Sequence, residues 1–229
     1  MREYKLIKTK RKTISLKIRE DATLEVRAPL NISEEKIDEY VISKGKWIAK
    51  HIEIIKENYK LKKQFKLKFG DIVRLRGKPM CIRPIKGKMG SFDEDENIFL
   101  IPEIANSNEI KDMVIKLYKQ IAKEYIKERV IDFAEKMNVN PTAIRITSAK
   151  TRWGSCSGKN SVNFSWKLIM ADDETIDYVV VHELAHIKQH NHSKKFWNIV
   201  ESFIPDYKKQ KEKLKKLGEK LSKEDWDLS

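Results

Sequence analysis

Two cysteines, Cys81 and Cys156, in a chain of 229 residues exclude a disulfide scaffold, and both can stay reduced in a cytosol. Eight glycines and six prolines exclude a collagen-like or low-complexity chain. No apolar run approaches the roughly 20 residues that a membrane helix needs, so no membrane partner is expected. The start, Met1-Arg2-Glu3-Tyr4-Lys5, has no apolar core of a secretory signal behind it, and a cytoplasmic location is expected. What the chain does have is charge, 36% of residues, beside 40% hydrophobic residues. That is apolar enough for the core of one large domain or two small ones, and too apolar for disorder.

The net charge of +14 is unevenly placed: residues 1–90 hold 25 Lys+Arg against 11 Asp+Glu, and residues 91–229 hold 23 of each. A basic front can attract nucleic acid, phosphorylated ligands or acidic protein surfaces. Lysine dominates it, few aromatic residues are interleaved, and no nucleic-acid-binding motif is visible. A solvated lysine-rich surface is the plainer reading, with nucleic acid retained as an alternative partner.

Period-two alternation at Ile14, Leu16, Ile18 and again at Leu24–Arg27 predicts two or three antiparallel strands, ended by Pro29. Asn31 with Glu34 at capping-box spacing, or Ser33, then starts one or two helices over about 33–59, with Gly45 as a break. Strand character returns over 64–101: Phe65, Leu67 and Phe69 alternate, Gly70-Asp71 and Arg76-Gly77 supply turns, and Asp93–Glu96 makes an exposed one. A long amphipathic helix is predicted from about Glu109 to Met137. Ile144–Ile146 and Val162–Trp166 read as a hairpin around Lys150–Lys159, and two or three helices fill 172–222, the last a solvated lysine-rich one. The expected fold class is α+β, divided into a basic β-rich region, 1–101, and a mixed domain, 102–229.

Chemistry concentrates in His182-Glu183-Leu184-Ala185-His186, an HExxH motif. On a helix, positions i and i+4 share a face, so both imidazoles can reach one zinc ion, and Glu183 is placed to take a proton from a water rather than to bind the metal. Four of the chain's five histidines lie in 182–192. His192, six residues after His186, is the favoured third ligand, at the offset found in HExxHxxGxxH enzymes. Gln189 replaces the glycine of that pattern, and Asn191, tolerant of left-handed backbone, is the residue expected to make the turn. Glu201 and His190 are rival ligands, and Ser193 is the expected cap of the next helix, which carries Phe196, Trp197 and Val200. His51 and Cys156 read as packing residues. In the segment Lys150–Ser157, Arg152 and Trp153 are the candidate substrate-binding residues.

These residues together resemble the YgjP-like family of zinc metallopeptidases, related to the WLM and SprT-like groups. The likeness runs through Thr151-Arg152-Trp153-Gly154-Ser155-Cys156-Ser157, Asn163–Leu168, Asp177–His186 and Asn191–Trp197, in matching order and spacing. The Ser33-Glu34-Glu35 and Lys46-Trp47-Ile48 stretches extend it over nearly the whole chain. The resemblance implies a zincin-like hydrolase domain, zinc on His182, His186 and His192, and Glu183 as general base. A metallopeptidase acting on a peptide or protein is therefore the leading expectation. The alternatives are a metal-dependent nucleoside triphosphate pyrophosphohydrolase, with Lys150, Arg152 and Lys159 on the phosphates, and a zinc-stabilised accessory module that binds nucleic acid through residues 1–90.

Overall fold

The computed structural model describes residues 4–228 and divides into two compact units. One runs to Phe65 and takes in Ser222–Asp225; the other is Lys66–Leu221 with the residues from Trp226 on.

In the first unit, strands β1 (Tyr4–Thr9), β2 (Ser15–Ile18) and β3 (Leu24–Pro29) form a sheet in the order β1-β3-β2. The β2–β3 pair is antiparallel as expected. Strand β1, however, runs parallel to β3, in register from Tyr4↔Leu24 to Thr9↔Pro29. A two-residue period is the same for either strand direction, so alternation could not distinguish them. Helices α1 (Glu34–Ser43) and α2 (Gly45–Gln64) come next. The Ser33 hydroxyl oxygen accepts the Lys36 N–H and caps α1, and the chain breaks at Lys44 ahead of Gly45. Leu24, Val26, Ala28, Ile37 and Ile48 form the core of this unit. Glu25 is fully buried in β3 and held by the guanidinium groups of Arg19 and Arg27, which meets the requirement that a buried charge be paired.

In the second unit, β4 (Ile72–Leu75), β5 (Lys78–Ile85), β6 (Ser91–Asp93) and β7 (Ile98–Pro102) make a sheet ordered β4-β5-β7-β6. The boundary expected at residue 101 falls inside β7, an inner strand of this sheet, so the sheet belongs to the second unit rather than to the basic front. Phe65–Phe69 is not a strand: Phe65 closes α2, and the Asp71 carboxylate accepts the Lys68 N–H to form a turn. Helix α3 (Ser107–Lys136) opens on an Asn106–Glu109 capping box and buries Ile110, Val114, Tyr118, Ile121, Ile126 and Val130. The Tyr118 ring lies 5.4 Å from Phe99, 5.9 Å from Trp166 and 5.7 Å from Trp226, at the separations aromatic pairs prefer.

A second sheet joins β8 (Ala143–Thr147), β9 (Gly154–Cys156) and β10 (Ser161–Ser165) in the order β8-β10-β9. The expected hairpin of the first and third segments is corrected: β8 and β10 are parallel, and the hairpin is β9–β10. Its tight turn is closed by Asn160 at φ 59°, an angle that asparagine tolerates. Helices α4 (Asp173–Lys188), α5 (Lys194–Phe203) and α6 (Tyr207–Leu221) complete the unit. No helix of the described residues is long and apolar enough to cross a membrane.

Candidate functional site

Helix α4 is the scaffold. Ile176, Val179, Val180, Val181, Leu184 and Ala185 are all buried, so the helix is enclosed nearly all round and its orientation is over-determined. Asp172 caps it by accepting the Thr175 N–H at 2.9 Å, and Asp173 and Glu174 in the first turn suit the positive end of the helix dipole. The β4–β5 turn abuts this cap. A Cβ on Gly77 (φ +76°) would come within 2.9 Å of the Asp172 Cβ, so only glycine fits there. Next to it, the Arg76 guanidinium donates to both carboxylate oxygens of Asp173 at 2.9 and 3.0 Å and to Glu94 at 2.9 Å. The Tyr125 hydroxyl also donates to Asp173 at 2.7 Å, and Arg129 forms a two-pronged pair with Asp177 at 2.7 Å. Burial favours protonation of Asp173, but the bonds from Arg76 and Tyr125 prevail and hold its pKa below the usual value. Burial, then Asp173, push the Tyr125 hydroxyl up to about 12. The sequence marked Arg76-Gly77 only as a turn and did not connect it with Tyr125 or Asp173; the three sites are far apart in the chain and carry no motif.

Two turns further on, His182 and His186 emerge on one face of α4. A ring nitrogen from each, with one from His192, forms a group whose atoms all lie within 4.8 Å of one another; the His182 and His192 Nε2 atoms are 3.1 Å apart. His186 Nδ1 faces the Gln189 carbonyl oxygen at 3.3 Å. With the proton on Nδ1 that contact is a hydrogen bond, and Nε2 is left as a lone-pair donor. Burial, then the neighbouring histidines and Lys211, pull the His182 pKa down to about 3, so its imidazole is neutral. Phe196 is fully buried beneath the cluster, its ring 4.9 Å from His182, 4.5 Å from His186 and 4.7 Å from His192. The rivals Glu201 and His190 are not in the cluster, and Glu201 is exposed on α5.

The turn that brings His192 back is not made as expected. Asn191 is not among the residues with positive φ. Instead its side-chain oxygen accepts the Gln189 Nε2–H at 2.8 Å and the Ser193 N–H at 3.2 Å, and Gln189 leaves the helix in an extended conformation. Ser193 occupies the cap position of α5, but its hydroxyl makes no cap bond and is buried without a hydrogen-bond partner.

Glu183 is 6% exposed. Burial lifts its pKa to about 7, against the pull of the Arg152 charge. Strand β9 lies directly over it: a Cβ on Gly154 would be 2.6 Å from both the Cγ and the Oε1 of Glu183. Cys156, on the same strand, has its thiol pKa raised by burial and by Glu183. Trp153 offers its carbonyl to the Ser165 N–H at 2.8 Å, and its indole faces α6, where a Cβ on Gly218 would meet it at 3.7 Å. Trp153 is therefore partly a packing residue. The sequence signal for Gly154 was present in the Arg152-Trp153-Gly154 run, but only the fold reveals what the glycine touches.

Curated proteins give no match. Among solved structures, the metallopeptidase zymogen abylysin of Pyrococcus abyssi is 23% identical over 43% of this chain and 97% of its own, with a TM-score of 0.38. The metallopeptidase zymogen jannalysin of Methanocaldococcus jannaschii is 26% identical over 40% of this chain and 94% of its own, with a TM-score of 0.37. The model of the YgjP-like metallopeptidase domain matches residues 12–217, from ahead of β2 into α6. By that match the chain belongs to the YgjP-like metallopeptidases, a family of hydrolases.

Proposed function

We propose that the protein is a zinc-dependent peptidase in which His182, His186 and His192 hold the ion and Glu183 is the general base. The observation that carries this reading is the convergence of three imidazole nitrogens beside one buried carboxylate. The donor set suits the metal: three nitrogen ligands, at least one held neutral by burial, are the number that leaves a catalytic zinc an open position. Bound zinc would supply Lewis acidity, polarising a carbonyl and acidifying a water. Glu183, buried and shifted toward neutrality, accepts the proton of the attacking water and returns it to the leaving amine. Phe196 fixes the ligand rings from below. Strand β9 is at the sheet edge, so an extended peptide can pair with it and bring a carbonyl over Glu183. A peptide is favoured over a nucleoside triphosphate or nucleic acid because the family is a peptidase one. In addition, Lys150, a candidate phosphate contact, has its ammonium 2.7 Å from Asp227.

Replacing Glu183 by Gln should leave zinc bound at one per chain while lowering kcat on a peptide-library substrate by about 10²–10⁴-fold. Elemental analysis and steady-state kinetics on the same preparations check both halves. A Gln variant with full activity would remove Glu183 from this role.

A further inference from the structure

On β10, the half-buried Asn163 and the buried Ser165 alternate with Val162 and Phe164, so they point to the sheet face opposite the one that packs on α4. There, a cavity of about 340 Å³ is lined by Thr147, Arg152, Ser155, Asn163 and Ser165, among others. Most of its polar side chains are already engaged. Ser165 Oγ donates to the Ala149 carbonyl at 3.1 Å, Thr147 Oγ1 to the Phe164 carbonyl at 3.3 Å, and the Asn163 amide to the Ser155 carbonyl at 3.4 Å. The first of these bonds ties the 148–153 loop to β10, the other two tie β10 to β8 and β9, and together they preform the wall. Arg152 is the only charged residue lining the cavity, and it is exposed. No lining residue carries a carboxylate; the carboxyl group its charge acts on, that of Glu183, is outside the lining. It is two residues from Gly154, the residue in contact with Glu183.

We infer that Arg152 is a specificity-determining residue, and that the cavity takes a substrate carboxylate next to the scissile bond. This rests on the peptidase reading and names its substrate class. An extended peptide on the edge of β9 turns alternate side chains to the two faces of the sheet. With its carbonyl over Glu183, the neighbouring residue faces the cavity. A guanidinium in a preformed, acid-free wall recognises a planar carboxylate by paired charge-assisted hydrogen bonds, and an amide isostere loses the charge-assisted part. The carboxylate can come from a Glu side chain or from the peptide's own C-terminus.

Three N-acetylated peptides separate these sources: one with an internal Glu and an amidated end, the same peptide with Gln in place of Glu, and the Gln peptide with a free C-terminal carboxylate. Zinc-loaded wild type should cleave one of the two acid-bearing peptides with a kcat/KM about tenfold or more above the amidated Gln peptide, and Arg152→Gln should reduce that ratio to within about twofold. Preference for the internal Glu assigns the side chain, and preference for the free end assigns the terminus; either supports the inference. Equal cleavage of all three, or a preference that survives in Arg152→Gln, overturns it and leaves the peptidase reading intact.

Binding to metal-free protein gives a second readout. N-acetylglutamate amide, and not N-acetylglutamine amide, should shift the backbone amide resonances of Ser155 and Asn163, and Arg152→Gln should abolish the shift. If wild type cleaves no peptide, the peptidase reading fails, and this titration decides Arg152 alone: an acid-specific shift supports the carboxylate site, and none overturns it.

Discussion

Gly154 shows how much a missing atom can carry. Any side chain there would meet the Glu183 carboxyl group at 2.6–2.8 Å, and Glu183 is buried with little room to withdraw. Gly154→Ala should therefore displace the base, lowering kcat more than tenfold while zinc stays bound, and costing about 1–3 kcal/mol of stability as an overpacked site does. Kinetics, metal analysis and urea denaturation of the one variant read all three. At this scale the sequence was most legible. HExxH predicted the facing pair His182 and His186 because helical spacing alone places them together, and His192 was favoured over Glu201 and His190 by its offset. The mechanism of the turn was not legible. Asn191 was credited with left-handed backbone, whereas it works through its side-chain oxygen; both roles suit the same residue type.

Among the elements, the N-terminal half of α4 is held by partners from the turn after β4 and from α3. The Asp173 clamp should reveal itself in acid. Its folded pKa lies below the value of 3.8 expected for a free aspartate, so the unfolded chain takes up the proton first. The stabilisation is fully present above about pH 5 and is lost as pH falls through the lower folded value. Asp173→Asn should cost about 1 kcal/mol at pH 7, modest because the pair is partly exposed. It should also flatten the dependence of the urea midpoint on pH below about 4, measured against wild type by far-UV circular dichroism. Strand existence was largely readable from alternation, but strand direction was not: β1 and β8 both turned out parallel to partners that a local reading had set antiparallel. Non-local pairings leave no periodic trace. The Phe65–Phe69 alternation misled because one buried side chain, Leu67, and a side-chain-capped turn produce the same short pattern.

For the whole molecule, the unit boundary at Phe65 was hidden because the charge surplus continues to residue 90; charge reports a surface, whereas the unit follows sheet pairing. Metal should act at this scale too. A ligand that binds only the folded chain stabilises it by mass action, about 2.7 kcal/mol at a concentration one hundred times Kd. Zinc should thus raise the thermal midpoint, and His192→Ala should remove most of that rise; differential scanning calorimetry with and without a chelator measures it. The corner between α4 and α5 adds a kinetic side to this. His182 is on α4 and His192 is within the short non-helical bend at Gln189–Ser193, so a cation shared between them closes a ring through the backbone. Once closed, the bend cannot fray without releasing the ion. The hydrogen-bonded amide protons of Gln189 and Ser193 should then exchange with solvent more slowly with zinc bound, which makes their isotope-exchange rate a measure of the lifetime of the metal on the protein.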